Sequence, residues 1–142
     1  MSIYDVFNGG SKPLSKEEWV AKMQEQRKAA YELIDNTCAE MMISGDSFRQ
    51  YLDVQGRFDR YSVSNAVLVS AQMPEATLLK DKASWKKSRV YVNREAQKVI
   101  ILEPSNEYKR KDGATAVGYN AKEVYDISET SAKERMQPQE QK

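Results

Sequence analysis

Apolar residues recur at helical spacing in the first third of the chain, at positions 19, 20, 23, 30, 33, 34, 37, 38, 41 and 42. Ser15 and Glu18 fit a capping box, in which each side chain accepts a hydrogen bond from the backbone of the other. Gly45 suits a C-terminal cap. The pattern predicts a helix over 15–43, whose buried stripe carries Trp19, Cys38 and the pair Met41 and Met42.

Two shorter helices and a helical turn are predicted next. Asp46 or Ser47 can cap a second helix, which covers residues 48–54 and ends at Gly56. A third helix near 62–73 stops before Pro74, because the residue before a proline avoids the helical region. A helical turn around 81–87 carries Trp85.

The apolar spacing changes in the second half of the chain. Val90 and Val92 are separated from an apolar run at 99–102 by a polar turn, and Asp112-Gly113 is a hairpin signal. Beyond it, apolar residues occupy the odd positions 117, 119, 121, 125 and 127, as in a half-buried antiparallel strand. We therefore predict an α+β fold, with N-terminal helices followed by a small antiparallel β-meander.

The length of 142 residues favours a single domain. We expect an irregular lead-in over 1–14, the domain over 15–130, and a polar tail or linker over 131–142. No apolar run approaches the ~18 residues of a membrane span, and the first residues lack the apolar core of a signal peptide. A cytoplasmic protein is the expectation.

The composition argues against most hydrolytic chemistry. Cys38 is the only cysteine and there is no histidine, which excludes an internal disulfide, the common zinc sites and any histidine-based triad. No paired carboxylates or phosphate-binding loop stand out. We expect no catalytic residue, no metal and no cofactor, and hence a protein that is not an enzyme.

The charge is unevenly distributed although the net charge is only +1. Residues 1–75 carry 8 basic and 11 acidic side chains, residues 76–111 carry 10 and 4, and residues 112–142 carry 4 and 6. A local basic field beside aromatic residues is typical of a nucleic-acid site. A lysine-rich, solvated face is the alternative.

Aromatic residues interleave with cations inside this basic segment, the combination that single-stranded nucleic acids require. The candidate DNA contacts are Trp85, Lys86, Lys87, Arg89, Tyr91, Lys98, Tyr108, Lys109 and Arg110. Trp85 is alternatively a core anchor between helix and sheet. Tyr91 and Tyr108 stack on bases only if their strands point them outward.

Two amides lie seven residues apart in the third predicted helix. Asn65 and Gln72 therefore share one helix face. They either bond buried backbone, for example around Thr77, or line a nucleic-acid groove, and we favour the first alternative. Tyr61 can act in either way.

The run from Tyr61 to Thr77 follows the pattern Y-S-x-x-N-x-x-L-hydrophobic-x-x-Q-x-P-x-A-T. Trp85, an apolar strand ending at Pro104 and the segment Val124-Tyr125-Asp126-Ile127-Ser128 come after it. Together these motifs resemble the N-terminal single-stranded-DNA-binding domain of ArdC-type antirestriction proteins, which also occurs in LtrC-like proteins of conjugative elements. The resemblance covers roughly residues 48–128.

This resemblance implies a non-enzymatic domain of a mobile element that binds single-stranded DNA and protects it from restriction or assists conjugation. Full-length family members also carry a C-terminal metallopeptidase-like domain, which is absent from this histidine-free chain and is the other expected partner. Where the family carries glycines after the tryptophan, this chain has Arg89 and Glu95.

The alternative function is a protein-interaction module that binds a restriction enzyme, a relaxase or the missing partner domain. An apolar strip left exposed on the helix over 15–43 would favour that alternative.

Overall fold

The computed structural model describes residue 3 and residues 15–109 and 115–132, and within 105–109 and 115–117 it describes only the backbone. The elements in chain order are α1 Lys16–Ile43, α2 Gly45–Arg57, α3 Val63–Gln72, β1 Leu79–Lys80, α4 Lys82–Lys87, β2 Lys98–Lys109 and β3 Thr115–Asp126, followed by a 3-10 turn at Ile127–Glu129. The prediction of an α+β domain, with a long N-terminal helix before an antiparallel sheet, is confirmed.

The first helix begins as its sequence predicts. The Ser15 hydroxyl accepts from the Glu18 amide at 3.1 Å, and the Glu18 carboxylate accepts from the Ser15 amide at 3.3 Å. The boundary with α2 differs from the prediction. Ser44 has an extended backbone and its hydroxyl accepts from the amide of Ser47, so Ser44 caps α2 and Gly45 is its first residue rather than a cap of α1.

The predicted buried stripe of α1 is wrong at its ends. Trp19 and Cys38 are exposed, and Met42 is 86% exposed. The residues that pack are in the middle of the helix, where Ala30 is fully buried against Leu68 and Leu102. At about 1.5 Å per residue the helix is about 42 Å long, and the described core contacts only its central turns.

The sheet has the strand order β1-β3-β2, with antiparallel pairing throughout. It is therefore a long hairpin with a two-residue strand added beside β3, and not a consecutive meander. Val90 and Val92 form no strand, since Val92 makes only an isolated bridge with Thr130. The predicted turn at Asp112-Gly113 lies outside the described residues, while the strands on either side of it pair up to Lys109 opposite Thr115.

Both faces of the sheet are covered, so β3 does not have one buried face and one solvent-exposed face. The apolar residues predicted at odd positions of β3 therefore do not mark the side that faces the main core. Val124 and Asp126, on even positions, are the buried residues of the described part of β3, whereas Tyr119 is exposed. Val99, Ile101 and Val124 face the main core, to which α2, α3 and their C-terminal caps contribute the side chains of Val54, Phe58, Ala66, Val69 and Met73. Leu102 packs on α1 from the opposite face.

A smaller cluster closes the other end of the domain. Trp85, Val90 and Ala132 are buried together, with Tyr125 and Ile127 packed against them. Ala132 was assigned to the polar tail, so the packed domain extends at least two residues beyond 130. Ile3, the one described residue of the lead-in, packs against the cluster of Ala30, Leu68 and Leu102. No helix in the described ranges is long and apolar enough to cross a membrane.

Candidate nucleic-acid interface

Trp85 lies in the core. Its ring is only 2% exposed, and its indole N–H donates to the carbonyl of Tyr125 at 2.9 Å. The ammonium of Lys80 lies 4.9 Å from the ring centroid. Trp85 is therefore the core anchor of the second alternative and ties α4 to β3. Its buried ring offers no exposed face on which a base could stack.

The turn after α4 is a Schellman motif, with the left-handed residue at Arg89. The amide of Arg89 donates to the carbonyl of Lys86, and the amide of Val90 donates to the carbonyl of Trp85, both at 2.9 Å. Arg89 has φ of 60°, and it is the only non-glycine residue with positive φ in the described part of the chain. This conformation favours glycine.

Five exposed cations lie in or near this turn in the sequence: Lys82, Lys86, Lys87, Arg89 and Arg94. None of them forms an ion pair with a carboxylate of the described residues. The ring of Tyr91 lies among them in sequence and is 60% exposed. We call these five cations and Tyr91 the basic surface.

Backbone contacts hold the basic surface to the end of the domain. The Tyr91 amide donates to the hydroxyl of Ser131 at 3.0 Å, and the Ser131 amide donates to the Tyr91 carbonyl at 2.8 Å. The Asn93 amide donates to the carbonyl of Glu129 at 2.9 Å. The segment that presents Tyr91 is thus fixed at three backbone amides.

The remaining predicted DNA contacts are less available or not described. Lys98 is a half-buried residue whose ammonium lies 3.3 Å from the Glu123 carboxylate, so its charge is already paired. Tyr108 and Lys109 lie in β2, and only their backbone is described. Arg110 lies outside the described residues.

The side chains of Asn65 and Gln72 form hydrogen bonds with the backbone of β2. The Asn65 amide group donates to the carbonyl of Leu102 and accepts from its N–H, each at 2.8 Å. Gln72 makes the same pair of bonds with Ile100, at 2.8 and 2.9 Å. Two side chains seven positions apart on α3 thus bind two residues that are two positions apart on the strand. They complete the hydrogen bonds of an edge that has no neighbouring strand among the described residues.

The alternative in which these two amides bond protein backbone is therefore supported, but the backbone they bond differs from the one expected. They bind β2 rather than the chain around Thr77. Each amide uses its oxygen and its nitrogen on the β2 backbone, so its orientation is fixed by the fold.

Thr77 is held by a different side chain. Asp126 accepts from the amides of Thr77 and Leu78 at 2.8 and 3.0 Å, and from the amide and hydroxyl of Ser128 at 3.1 and 2.6 Å. Burial raises the pKa of Asp126, but these four hydrogen bonds outweigh it and leave the pKa below its ordinary value. Asp126 is thus an ionised carboxylate that fixes the loop before β1.

A cleft that the sequence did not reveal lies beside Tyr61. It has a volume of about 430 Å³ and is lined by Tyr31, Arg60, Tyr61, Ser62, Ser64, Asn65, Leu102, Pro104 and Tyr119. Its three tyrosines come from α1, from the segment before α3 and from β3. We call it the tyrosine cleft.

Tyr61 is the least exposed of these three tyrosines and packs against the main core. Its ring lies 4.9 Å from that of Phe58, and burial raises the pKa of its phenol, an effect that the nearby charge of Lys122 only partly opposes. The hydroxyl therefore stays protonated at neutral pH. No cluster of acidic or cysteine side chains that would hold a metal ion occurs in the described ranges.

Comparisons with protein-family models, with curated proteins and with solved structures find no match for this chain. The resemblance to the ArdC-type domain therefore stays a prediction from the motifs.

Proposed function

We propose that this domain binds single-stranded DNA and catalyses no reaction on it. The proposal rests on the basic surface, where five exposed cations have no carboxylate partner among the described residues and accompany an exposed tyrosine. Between residues 82 and 95 the only acidic side chain is Glu95. Unpaired cations attract phosphates, and an exposed ring offers a platform for a base.

A single strand suits this surface better than a duplex. The bases of a duplex are stacked on each other and offer no free face to Tyr91, whereas an unpaired base stacks on an aromatic side chain with a gain of about 1–3 kcal/mol. The motif resemblance points to the same ligand. We propose by that resemblance a role in antirestriction or conjugation, in the cytoplasm of a cell that carries the mobile element.

The test is a competition experiment with purified protein. Fluorescence anisotropy of a labelled 20-nucleotide single strand is followed while unlabelled single-stranded or duplex DNA is added. We expect the single strand to compete at least tenfold better than the duplex. Equal competition, or no binding at tens of micromolar protein, would refute the proposal.

A matched pair of variants locates the site. Lys86→Ala/Lys87→Ala removes two charges from the basic surface, and Lys16→Ala/Lys28→Ala removes two exposed charges from α1. Only the first pair is expected to weaken binding. Equal losses from both pairs would indicate attraction by overall charge rather than by this surface.

A second candidate function, a protein-interaction module, is favoured by an apolar corner between α1 and α2. Met42 and Ile43 are 86% and 88% exposed, and Phe48 and Leu52 are exposed one helical turn apart on α2. This is the exposed apolar strip that a protein partner would cover. We therefore propose a restriction enzyme, a relaxase or a metallopeptidase-like domain as the alternative ligand.

Nuclease treatment separates the two functions. A protein partner captured through the corner would survive nuclease, bind again after purification, and be lost with Met42→Glu/Phe48→Glu but not with Lys86→Glu/Lys87→Glu. Capture that disappears with nuclease would count against the protein-interaction function.

A further inference from the structure

Three aromatic side chains converge on the tyrosine cleft from distant parts of the chain. Tyr31 and Tyr119 are 43% and 45% exposed, and Tyr61 is half-buried between them and the core. Exposed rings at the mouth of a cleft, with a partly buried ring inside it, present apolar faces to whatever enters. The volume of about 430 Å³ falls within the ~300–1,000 Å³ usual for small-molecule sites.

Four polar groups of the cleft have no hydrogen-bond partner within the described residues. They are the hydroxyls of Tyr31, Tyr61 and Tyr119 and the guanidinium of Arg60. These groups together offer both donors and acceptors. A ligand with a flat ring and polar edges satisfies such a lining, and the positive charge of Arg60 suits an attached phosphate.

The cleft also adjoins a hollow that leads to α4. Tyr61 lines both the tyrosine cleft and a second hollow of about 490 Å³, which Asp81 and Ser84 line at the start of α4. The Lys122 ammonium lies 3.3 Å from Asp81 and 3.0 Å from Glu103, and Lys80 also lines the hollow, so two cations balance two carboxylates there. The cleft and the helix that carries Lys86 and Lys87 are thus joined along one side of the domain.

We propose that the tyrosine cleft receives one unpaired base of the strand whose phosphates the basic surface holds. This inference rests on the proposed function, and it adds to the exposed ring of Tyr91 a second base contact that lies apart from the cations holding the phosphates. Tyr31 and Tyr119 provide the stacking faces, and Arg60 contacts the phosphate of the inserted nucleotide. Trp85 and the amides of Asn65 and Gln72 take no part, because the fold already uses them.

The test compares two probes of equal length and charge: oligothymidine, and a strand of the same backbone with abasic sites throughout. The variant Tyr31→Leu/Tyr119→Leu keeps apolar bulk but removes the rings. We expect it to bind oligothymidine roughly 5- to 150-fold more weakly, as the loss of one stacked base predicts, and to bind the abasic strand as the wild type does.

Three controls make the result specific. Tyr31→Phe/Tyr119→Phe keeps the rings and is expected to retain most of the affinity. Trp19→Leu removes an exposed aromatic ring of α1 outside the cleft lining. It is expected to leave the affinity for oligothymidine and for the abasic strand unchanged. An unchanged unfolding midpoint of Tyr31→Leu/Tyr119→Leu shows that the fold is intact.

The outcomes distinguish this inference from the proposed function. The cleft assignment is overturned if Tyr31→Leu/Tyr119→Leu binds oligothymidine as tightly as the wild type, or if it loses the same affinity for both probes. Either result leaves the proposed DNA binding intact. Absence of wild-type binding to both probes overturns both proposals. Lys86→Ala/Lys87→Ala is expected to weaken binding to both probes alike, and a loss confined to oligothymidine would contradict the assignment of these two lysines to the phosphates.

Discussion

Replacing Arg89 by glycine should stabilise the fold while weakening DNA binding, a combination that separates the two roles of this position. Arg89 has φ of 60° in the Schellman turn after α4, and its exposed side chain makes no ion pair with the described residues. A residue with a Cβ costs about 1–2 kcal/mol in this conformation. Glycine removes that cost but loses roughly 0.5–1 kcal/mol through its freer unfolded chain.

The net expectation is a gain of roughly 0.5–1 kcal/mol in the free energy of unfolding. For a domain of this size the gain raises the unfolding midpoint by about 1–4 °C. Urea or thermal unfolding followed by circular dichroism measures the change. Arg89→Ala is the control, because it removes the same charge but keeps the Cβ, so it should bind DNA as weakly as Arg89→Gly without the gain in stability.

Two results would refute this reasoning. If Arg89→Gly is no more stable than Arg89→Ala, the left-handed backbone does not govern stability at this turn. If neither variant loses DNA affinity, the charge at Arg89 does not belong to the site.

Three further predictions follow from contacts elsewhere in the domain. Asn65→Ala leaves the backbone groups of Leu102 without their partner and should destabilise the domain by about 1–3 kcal/mol in urea titrations, whereas a neutral effect would show that water replaces the amide. The pKa of Asp126 is lowered in the folded state, so its contribution to stability is present above the unfolded pKa near 4 and is lost as the pH falls through the folded pKa. Unfolding titrations between pH 7 and 2 should therefore show a weaker acid dependence for Asp126→Asn, and an identical dependence would contradict the assignment. Trp85→Phe keeps a buried ring but loses the hydrogen bond to the Tyr125 carbonyl, so it should cost about 1 kcal/mol in stability and leave oligonucleotide affinity unchanged in anisotropy titrations.

Features set by a few neighbouring residues were predictable from the sequence. The capping box at Ser15, the end of α3 before Pro74 and the helical turn around Trp85 depend on residues within one or two turns of each other. Such features need no knowledge of the rest of the fold.

Features that depend on which surfaces meet were not predictable. Helical spacing placed Cys38 and Met42 on an apolar stripe, but the described core reaches only the middle of α1. The seven-residue spacing of Asn65 and Gln72 put both amides on one face, yet their partner is the β2 edge, 28 to 37 residues further along the chain.

The candidate site likewise has one part that the sequence predicted and one part that it did not. The cations of the basic surface lie close together in sequence, so their clustering was visible from charge alone. The tyrosine cleft joins residues 31, 61 and 119, and nothing in their local sequence links them. The adjacent pair Arg60 and Tyr61 was the one available signal.

The salt dependence of single-strand binding tests the central claim most directly. If four of the five cations of the basic surface each contact a phosphate, the plot of log K against log salt has a slope near −3, from about −0.7 per phosphate on single strands. Lys86→Ala/Lys87→Ala should reduce the magnitude of that slope by about 1.4. A flat salt response in the wild type, or the same steep slope in the double variant, would contradict the claim that this surface holds the strand.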